Sequence, residues 1–220
     1  MTVVVPRRFN GPPTTGNGGY SCGAVAGAGP TEVTLRKPPP LDTPLTAVDG
    51  TFVDPDGEVV LEVRPADGAE LRALADAAPR VSLDAARAAG AATPLAEGHP
   101  FPTCFGCGVD HPTGLHCLAG PVEGDVWAVT FTPDATDPRL AWAALDCPSA
   151  APHMAGARGV PHVLGRMAAE VYRAPAAGVE HAVVAWPLGS DGRRRFAASA
   201  ILDAPGEVLA VARATWVVLA

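Results

Sequence analysis

The feature of this sequence that most constrains its fold is an internal repeat. Four landmarks of residues 1–80 recur in the same order within residues 127–220, at offsets of 129 to 138 residues. The pairs are Asn17-Gly18-Gly19 with Asp146-Cys147-Pro148, Arg36-Lys37-Pro38 with Arg173-Ala174-Pro175, Asp56-Gly57 with Asp191-Gly192, and Asp67-Gly68 with Pro205-Gly206. Self-similarity at one long spacing indicates that a single supersecondary unit occurs twice.

Each unit predicts one short helix followed by strands, because a run of small apolar residues precedes several half-buried stretches separated by turn residues. For the first unit we predict a helix over 18–28, strands over 32–37, 45–53, 58–64 and 70–76, and hairpin turns at 54–57 and 65–68. For the second we predict a strand over 126–132, a helix beginning near Cys147, and strands over 162–173, 179–188, 194–202 and 208–219.

Residues 81–103 predict a linker between the units. Prolines interrupt this stretch, and Ser82 is a suitable N-cap for an alanine-rich helix that ends at Gly90. We therefore place the first unit at 1–80 and the second at 104–220, and we expect the linker helix to cover the outside of the joined sheet.

Several segments resemble bacterial acyl-CoA thioesterases of the double-hotdog type. Gly18-Gly19-Tyr20 and the run from Val33 to Pro38 are similar to their first half, and Ala143-Ala144-Leu145-Asp146 is similar to the segment that carries their catalytic aspartate. Pro102-Thr103-Cys104-Phe105-Gly106-Cys107-Gly108, followed by Gly114-Leu115, resembles uncharacterised actinobacterial thioesterase-like proteins. The resemblance implies an α+β double hotdog, in which two antiparallel sheet halves each wrap a central helix.

The resemblance also implies hydrolysis of acyl-CoA or another acyl thioester. The carbonyl of the substrate would lie at the amino end of the first helix, at Asn17, Gly18 and Gly19, where unpaired backbone N–H groups stabilise an oxyanion. Asp146 would activate water. Alternatively, Asn17 is an ordinary N-cap, the glycines allow close packing of helix and sheet, and Asp146 caps a helix that has Pro148 in its first turn.

In the resembled enzymes a glutamine on the final strand and a threonine on an earlier strand help to hold the water beside the aspartate, and both are altered in this sequence. Thr215 stands at the position of the glutamine. The position of the threonine falls near Arg166-Met167, where there is no hydroxyl. Two other classes therefore remain open: a noncatalytic double hotdog that binds an acyl ligand, and an acyl-thioester hydratase or dehydratase, for which His153 and His162 are the nearest histidines.

Each unit alone lacks one component of a hydrolytic site. The first has no acidic residue within Tyr20–Gly29, and Pro148 in the second lacks the N–H that an oxyanion site would use. We expect antiparallel helices to keep the two helix starts apart, so that Asp146 finds support locally or from Thr215. Burial would raise the pKa of Asp146 and a helix start would lower it, and the sequence does not decide between them.

The substrate-binding candidates are cationic and apolar residues. Arg194, within Arg193-Arg194-Arg195, could clamp the phosphates of coenzyme A, with Arg36 and Lys37 as secondary candidates, although such a cluster is also typical of a solvated hairpin end. An acyl tunnel between helices and sheet would be lined by four large residues, each of which could equally belong to the core. These are Tyr20, Trp142, Met154 and Trp216.

Cysteine and histidine residues cluster around the start of the second unit. They are His99, Cys104, Cys107, His111, His116 and Cys117. One Cys-x2-Cys pair is a spacing that zinc can use, but a second complete pair is missing. We expect Cys104 and Cys107 to be reduced and metal-free thiols in a tight turn, and we predict no cofactor.

Composition excludes several other classes. Hydrophobic residues make up 48% of the chain and charged residues 18%, which is too apolar for a disordered protein. No apolar run is long enough for a membrane span, and no signal peptide is evident, so we expect a cytoplasmic protein without a membrane partner. A net charge of −7 argues against nucleic acid as a partner. The resembled double hotdogs often associate further through their sheets, so a homo-oligomer is one expectation, although the sequence does not decide the oligomeric state.

Overall fold

The structure, a computed structural model, describes residues 1–154 and 160–219. Its centre is one sheet of eleven strands in the order β1-β3-β4-β5-β2-β8-β11-β10-β9-β7-β6, and its ten strand pairings in the described residues are all antiparallel. The strands are β1 Thr2–Val4, β2 Thr31–Leu35, β3 Pro44–Val48, β4 Thr51–Val53, β5 Val59–Pro65, β6 Gly120–Pro121, β7 Trp127–Phe131, β8 His162–Val171, β9 His181–Asp191, β10 Arg194–Leu202 and β11 Val208–Val218. The helices are α1 Gly18–Val25, α2 Gly68–Asp76, α3 Leu83–Ala91 and α4 Pro138–Met154.

The two halves of the sheet have the same topology. The first runs β1-α1-β2-β3-β4-β5 and the second β7-α4-β8-β9-β10-β11, and in each half the second strand lies at the centre of the sheet. The first strand lies at the outer edge in the first half, whereas in the second half the short strand β6 lies outside β7. The halves join where β2 pairs with β8, with Thr31 opposite Ala169 and Thr34 opposite Arg166. This arrangement is a double hotdog, so the predicted α+β fold is confirmed.

Two equivalent turns show the repeat in atomic detail. In the turn between β4 and β5, Asp54 N–H donates to Glu58 O at 3.0 Å, and Glu58 N–H donates to Asp54 Oδ1 at 2.9 Å. In the turn between β10 and β11, Asp203 and Glu207 make the same two bonds at 3.0 and 2.8 Å. The pairing of Asp56-Gly57 with Asp191-Gly192 was therefore wrong by one hairpin. Asp191-Gly192 lies between β9 and β10, and the turn equivalent to Asp56-Gly57 contains Pro205-Gly206.

The strand predicted over 70–76 is wrong, because this stretch belongs to helix α2. Asp67 does not form a hairpin turn: its Oδ1 accepts hydrogen bonds from Ala69 N at 2.9 Å and Glu70 N at 3.2 Å and caps the helix. Leu71 and Ala75, four residues apart, are buried on one helix face. That spacing is helical, and it was available in the sequence.

The second central helix begins earlier than predicted. α4 starts at Pro138, with Asp137 Oδ1 accepting from Arg139 N at 2.9 Å, instead of near Cys147. An acidic residue followed by proline marks the true start, and the same kind of signal at Asp146 and Pro148 was misleading. Asp146 therefore lies in the interior of a helix of 17 residues.

Helices cover both faces of the sheet. α1 and α4 lie on the inner face, within the main apolar core. On the outer face, Leu71 of α2 packs near Val211, and Ala86 of the linker helix α3 packs near Val184. Ser82 caps α3, as predicted, with its Oγ accepting from Ala85 N at 3.2 Å. In the described parts of the chain, no helix is long and apolar enough to cross a membrane.

Candidate active site

The candidate site lies where α1 crosses α4 at close range. Gly19 faces Trp142 and Asp146, and Gly23 faces Arg139 and Trp142, so the two helices run antiparallel. A Cβ atom on Gly19 would lie 2.4 Å from Trp142 O and 2.5 Å from Asp146 Cβ. Glycine is therefore required at position 19, because α4 lies so close. Gly18 packs against the sheet instead, and a Cβ there would lie 2.9 Å from Leu164 Cδ2.

The amino end of α1 presents three backbone N–H groups in different states. Tyr20 N–H donates to the capping Asn17 Oδ1 at 2.8 Å, and Gly19 N–H donates to Asp146 Oδ2 at 2.8 Å. No hydrogen bond to another described residue uses the N–H of Gly18. Gly18 is only half-buried and lines the cavity described below, where a ligand could approach its backbone.

One oxygen of the Asp146 carboxylate is held and the other is free. Oδ2 also accepts from Asn17 Nδ2 at 3.1 Å, whereas Oδ1 is buried and has no hydrogen-bond partner among the described residues. Burial raises the pKa of Asp146 to about 7, although the bonds from Gly19 and Asn17 oppose the shift. The question that the sequence left open is thus decided in favour of burial.

The site draws on both units. We expected antiparallel helices to separate Asp146 from the start of α1, but the hydrogen bonds from Gly19 and Asn17 contradict this. The reason is that Asp146 lies in the second half of α4, and the second half of one antiparallel helix lies beside the start of the other. The component that each unit lacks is supplied by the other unit.

Ser149 and Trp216 hold α4 in place beside Asp146, a connection that the sequence did not indicate. Ser149 Oγ donates to Asp146 O at 2.6 Å and accepts from Trp216 Nε1 at 2.8 Å. Both residues are buried, and the bonds tie α4 to β11. The spacing of three residues between Asp146 and Ser149 was visible, but only the fold shows that Trp216 meets them.

A largely apolar cavity of about 570 Å³ adjoins this carboxylate. That volume suits a small-molecule ligand. Of the thioesterase-site residues proposed from the sequence, the cavity is lined by Asn17, Gly18, Arg36, Lys37, Asp146, Met154 and Trp216. Further lining residues that the sequence did not indicate include Leu95, Phe101, Leu118, Ala150, Ala151 and Leu164.

Tyr20 and Trp142, proposed as tunnel residues, belong to the core. Tyr20 is 2% exposed and stacks on Phe9 with ring centroids 3.7 Å apart, and Trp142 is 4% exposed beside α1. Neither residue lines the cavity.

Thr215 is not brought to Asp146. Along β11, Arg213 and Thr215 share one face, because side chains alternate on a strand that pairs regularly with β10. Arg213 forms an ion pair with Glu70 of α2, on the outer face of the sheet. Trp216 points to the inner face instead, and Thr215 does not line the cavity.

The cationic candidates differ in position. Arg194 lies at the end of the β9–β10 hairpin, forms an ion pair with Asp191, and does not line the cavity. Arg36 and Lys37 line it, and each already has an acidic partner: Glu62 for Arg36, at 2.7 Å, and Glu58 for Lys37.

The two histidines considered for a hydratase have backbone partners. His153 Nε2 lies 2.9 Å from Phe196 O, and His162 Nδ1 lies 3.0 Å from Val160 O. Only His162 lines the cavity, and burial lowers its pKa. Neither hydrogen-bonds to Asp146.

All five cysteines are free thiols, and three of them meet beside the candidate site. Cys104, Cys107 and Cys147 have their sulfur atoms within 4.8 Å of one another. A hydrogen bond with Cys107 is the main cause that lowers the pKa of the Cys104 thiol, and the pKa values of the other two are raised. The sequence indicated the first two thiols but not the third.

Solved structures share the fold along the whole chain. A proposed thioesterase from Novosphingobium aromaticivorans DSM 12444 is 15% identical with a TM-score of 0.65, over 100% of this chain and 95% of the other. A proposed thioesterase II from Thermobifida fusca YX is 16% identical with a TM-score of 0.58, over 100% and 92%. The acyl-CoA thioesterase II TesB2 from Mycobacterium marinum is 14% identical with a TM-score of 0.52, over 87% and 80%.

These similarities define the chain as a double-hotdog protein. The resemblance to double-hotdog thioesterases is confirmed at the level of the fold, since identities of 14–16% show shared architecture. No protein-family model matches the sequence, and no curated protein sequence matches it significantly. What the chain acts on must therefore be argued from its own site.

Proposed function

We propose that this protein is a thioesterase that hydrolyses acyl-CoA or a related acyl thioester. The observation that carries the proposal is the contact between the Asp146 carboxylate and the amino end of α1, at the wall of an apolar cavity. Thioester hydrolysis needs a donor for the developing oxyanion, a base for water and a pocket for the acyl group. The three features lie together here.

The accessible N–H of Gly18 is the proposed donor for the thioester carbonyl. It is the first amide of α1, and helix amino ends favour negative charge. Leu164 lies close to the position that a Cβ on residue 18 would occupy, so glycine keeps the backbone accessible. We infer that the carbonyl oxygen accepts from Gly18 and gains negative charge there in the transition state.

Asp146 Oδ1 is the proposed acceptor for the proton of the attacking water. Because Oδ2 is fixed by Gly19 and Asn17, the carboxylate cannot rotate freely, and Oδ1 keeps one orientation. The water oxygen bonds to the carbonyl carbon while its proton passes to Asp146. Collapse of the tetrahedral intermediate breaks the carbon–sulfur bond, and the departing thiolate takes that proton.

The cavity accounts for the rest of the substrate. Its apolar walls suit an acyl chain. Arg36 and Lys37 also line the cavity, where each could bind a phosphate while it stays paired with its acidic partner, Glu62 for Arg36 and Glu58 for Lys37. Since these cations are already paired, we expect the phosphates to contribute modestly to affinity.

The test is thiol release from a panel of acyl-CoA esters of increasing chain length. We expect turnover by the wild type and a preference that reflects the cavity volume. Absence of turnover on the whole panel, with tight binding of an acyl-CoA by calorimetry, would assign the protein to the second candidate, a noncatalytic acyl binder. The position of Thr215 on the outer face favours that candidate, because no described residue forms a hydrogen bond with Asp146 Oδ1.

Asn17→Ser separates the two roles of this side chain, which caps α1 and donates to the Asp146 carboxylate. Serine can still cap α1, but it cannot donate an amide hydrogen bond to Asp146 Oδ2. We expect turnover to fall roughly tenfold or more, with a melting temperature close to that of the wild type. Asn17→Ala should lose similar activity and also about 1 kcal/mol of stability, measured by urea unfolding. Equal activity in wild type and Asn17→Ser would mean that the amide does not orient the carboxylate.

Ala151→Leu tests the acyl pocket. Ala151 is buried in α4 and lines the cavity, so a larger side chain there should shorten the space for an acyl chain. We expect kcat/KM to fall for long-chain substrates by roughly tenfold, with short-chain turnover retained, since each methylene in an apolar pocket contributes about 1 kcal/mol or more. Leu74→Met, on the outer helix α2, is the matched control. A uniform loss for all chain lengths would argue against this pocket.

A further inference from the structure

The three thiols beside the candidate site form a compact group, in which Cys104 and Cys107 are buried and Cys147 is half-buried. Cys104 and Cys107 come from the loop at the start of the second unit, and Cys147 comes from α4, forty residues after Cys107. The sulfur atoms all lie within 4.8 Å of one another, and those of Cys104 and Cys147 are 3.8 Å apart. The fold thus completes a set of three sulfur ligands from two separate segments.

The spacing of the sulfur atoms fits one metal ion. Zinc binds thiolate sulfur at about 2.3 Å with tetrahedral geometry, which places two sulfur ligands about 3.8 Å apart. The separation of Cys104 and Cys147 matches that edge. A disulfide would need sulfur atoms about 2.05 Å apart.

The loop that carries Cys104 and Cys107 closes tightly. Gly108 N–H donates to Cys104 O at 2.7 Å. A Cβ on Gly108 would lie 2.4 Å from Cys104 N, and one on Gly106 would lie 2.7 Å from Cys147 Sγ. Both glycines are therefore required for the loop to close on itself and on α4.

The buried side-chain amide of Asn17 donates to two of the three sulfur atoms. Asn17 Nδ2 lies 3.8 Å from Cys104 Sγ and 3.8 Å from Cys147 Sγ, within the range of an N–H···S hydrogen bond. Hydrogen bonds of this kind stabilise thiolates and orient metal ligands. The same amide group contacts Asp146, so the sulfur group and the carboxylate share one donor.

We propose that Cys104, Cys107 and Cys147 together bind one zinc ion, or another soft divalent metal of that class. The expectation of metal-free thiols considered only the Cys-x2-Cys pair, and the third sulfur changes the chemistry. All three residues line the cavity, so the fourth coordination position is available to water or to another ligand there. The ion would fasten the loop to α4, and this role is independent of the proposed hydrolysis.

The experiment measures metal content and coordination in the full chain, without any activity assay. Protein expressed with added zinc and purified without chelator is analysed for metal by mass spectrometry, and the affinity is measured by competition with a chromogenic chelator. We expect about one zinc ion per chain. Cobalt substitution should give a sulfur-to-cobalt charge-transfer band, which surface carboxylates cannot produce, and chelator should lower the melting temperature.

Two ligand variants and one control sharpen the test. Cys147→Ala and Cys107→Ala should each lower zinc affinity roughly 100-fold or more, because even partners outside the coordination shell contribute 10- to 100-fold. Cys117→Ala, which removes a buried thiol outside the group, should keep the metal. If a ligand variant fails to fold, the cobalt spectrum of the wild type decides.

Three results would overturn the proposal. They are a wild type that stays metal-free when titrated with zinc under reducing conditions, a Cys147→Ala variant that keeps wild-type affinity, and a disulfide that joins two of the three residues in protein purified without oxygen.

Discussion

Asp146→Asn is expected to lower turnover of an acyl-CoA substrate by roughly 100-fold or more, without loss of the fold. The amide has the shape of the carboxylate and can still accept from Gly19 N–H, so α1 and α4 keep their contact. It cannot take a proton from water at the position of Oδ1. Because a buried charge without a full set of partners is costly, the variant should be at least as stable as the wild type. Thiol release and thermal unfolding measure the two effects.

The control for this substitution is Asp84→Asn. It makes the same chemical change on α3, where the side chain is 93% exposed. We expect wild-type turnover from it. Full activity in Asp146→Asn would remove the hydrolytic mechanism proposed here, whereas its inactivity alongside an active control would tie catalysis to this carboxylate.

Gly19→Ala is expected to cause the largest loss of stability among single methyl additions to α1. The new Cβ would lie 2.4 Å from Trp142 O, a backbone atom that cannot move without shifting α4. Overpacking of this kind costs about 1–3 kcal/mol or more. At about 2–4 °C per kcal/mol for a chain of this size, the melting temperature should fall by several degrees. Activity should fall as well, since Asp146 and Gly19 N–H would separate.

Gly27→Ala is the matched control for Gly19→Ala. It adds the same methyl group just beyond α1, where no atom lies within 4 Å of the new Cβ. We expect its melting temperature to be equal to or slightly higher than that of the wild type, because alanine restricts the unfolded chain. If both variants unfold alike, the close helix crossing does not limit stability.

Strand and helix prediction succeeded where the local pattern was unambiguous. The strands β10 and β11 and the helix α3 were predicted within one or two residues, because alternation, glycine turns and the Ser82 cap are local signals. α2 was predicted as a strand because Asp67-Gly68 resembles a hairpin turn. The helical spacing of Leu71 and Ala75 should have outweighed that turn.

The sequence indicated residues that the structure places together, but it did not indicate how they contact each other. Asn17, Gly18, Gly19 and Asp146 were all indicated by the sequence, and the structure brings them together. Their contact was not expected, because the start of α4 was placed near Cys147 and not at Pro138. The predicted helix start was nine residues too late, so the prediction placed Asp146 at the amino end of the helix, whereas it lies in the interior.

The sequence alone determined the repeated unit, since hydrophobic periodicity, glycine turns and caps act between residues close along the chain. The tertiary structure alone decided which half supplies each part of the site: α1 and α4 are antiparallel only after the two sheet halves join at β2 and β8. The same joining brings Cys147 to Cys104 and Cys107 and turns Thr215 to the outer face. Contacts between distant segments follow from how two apolar faces pack together, and no local pattern records that packing.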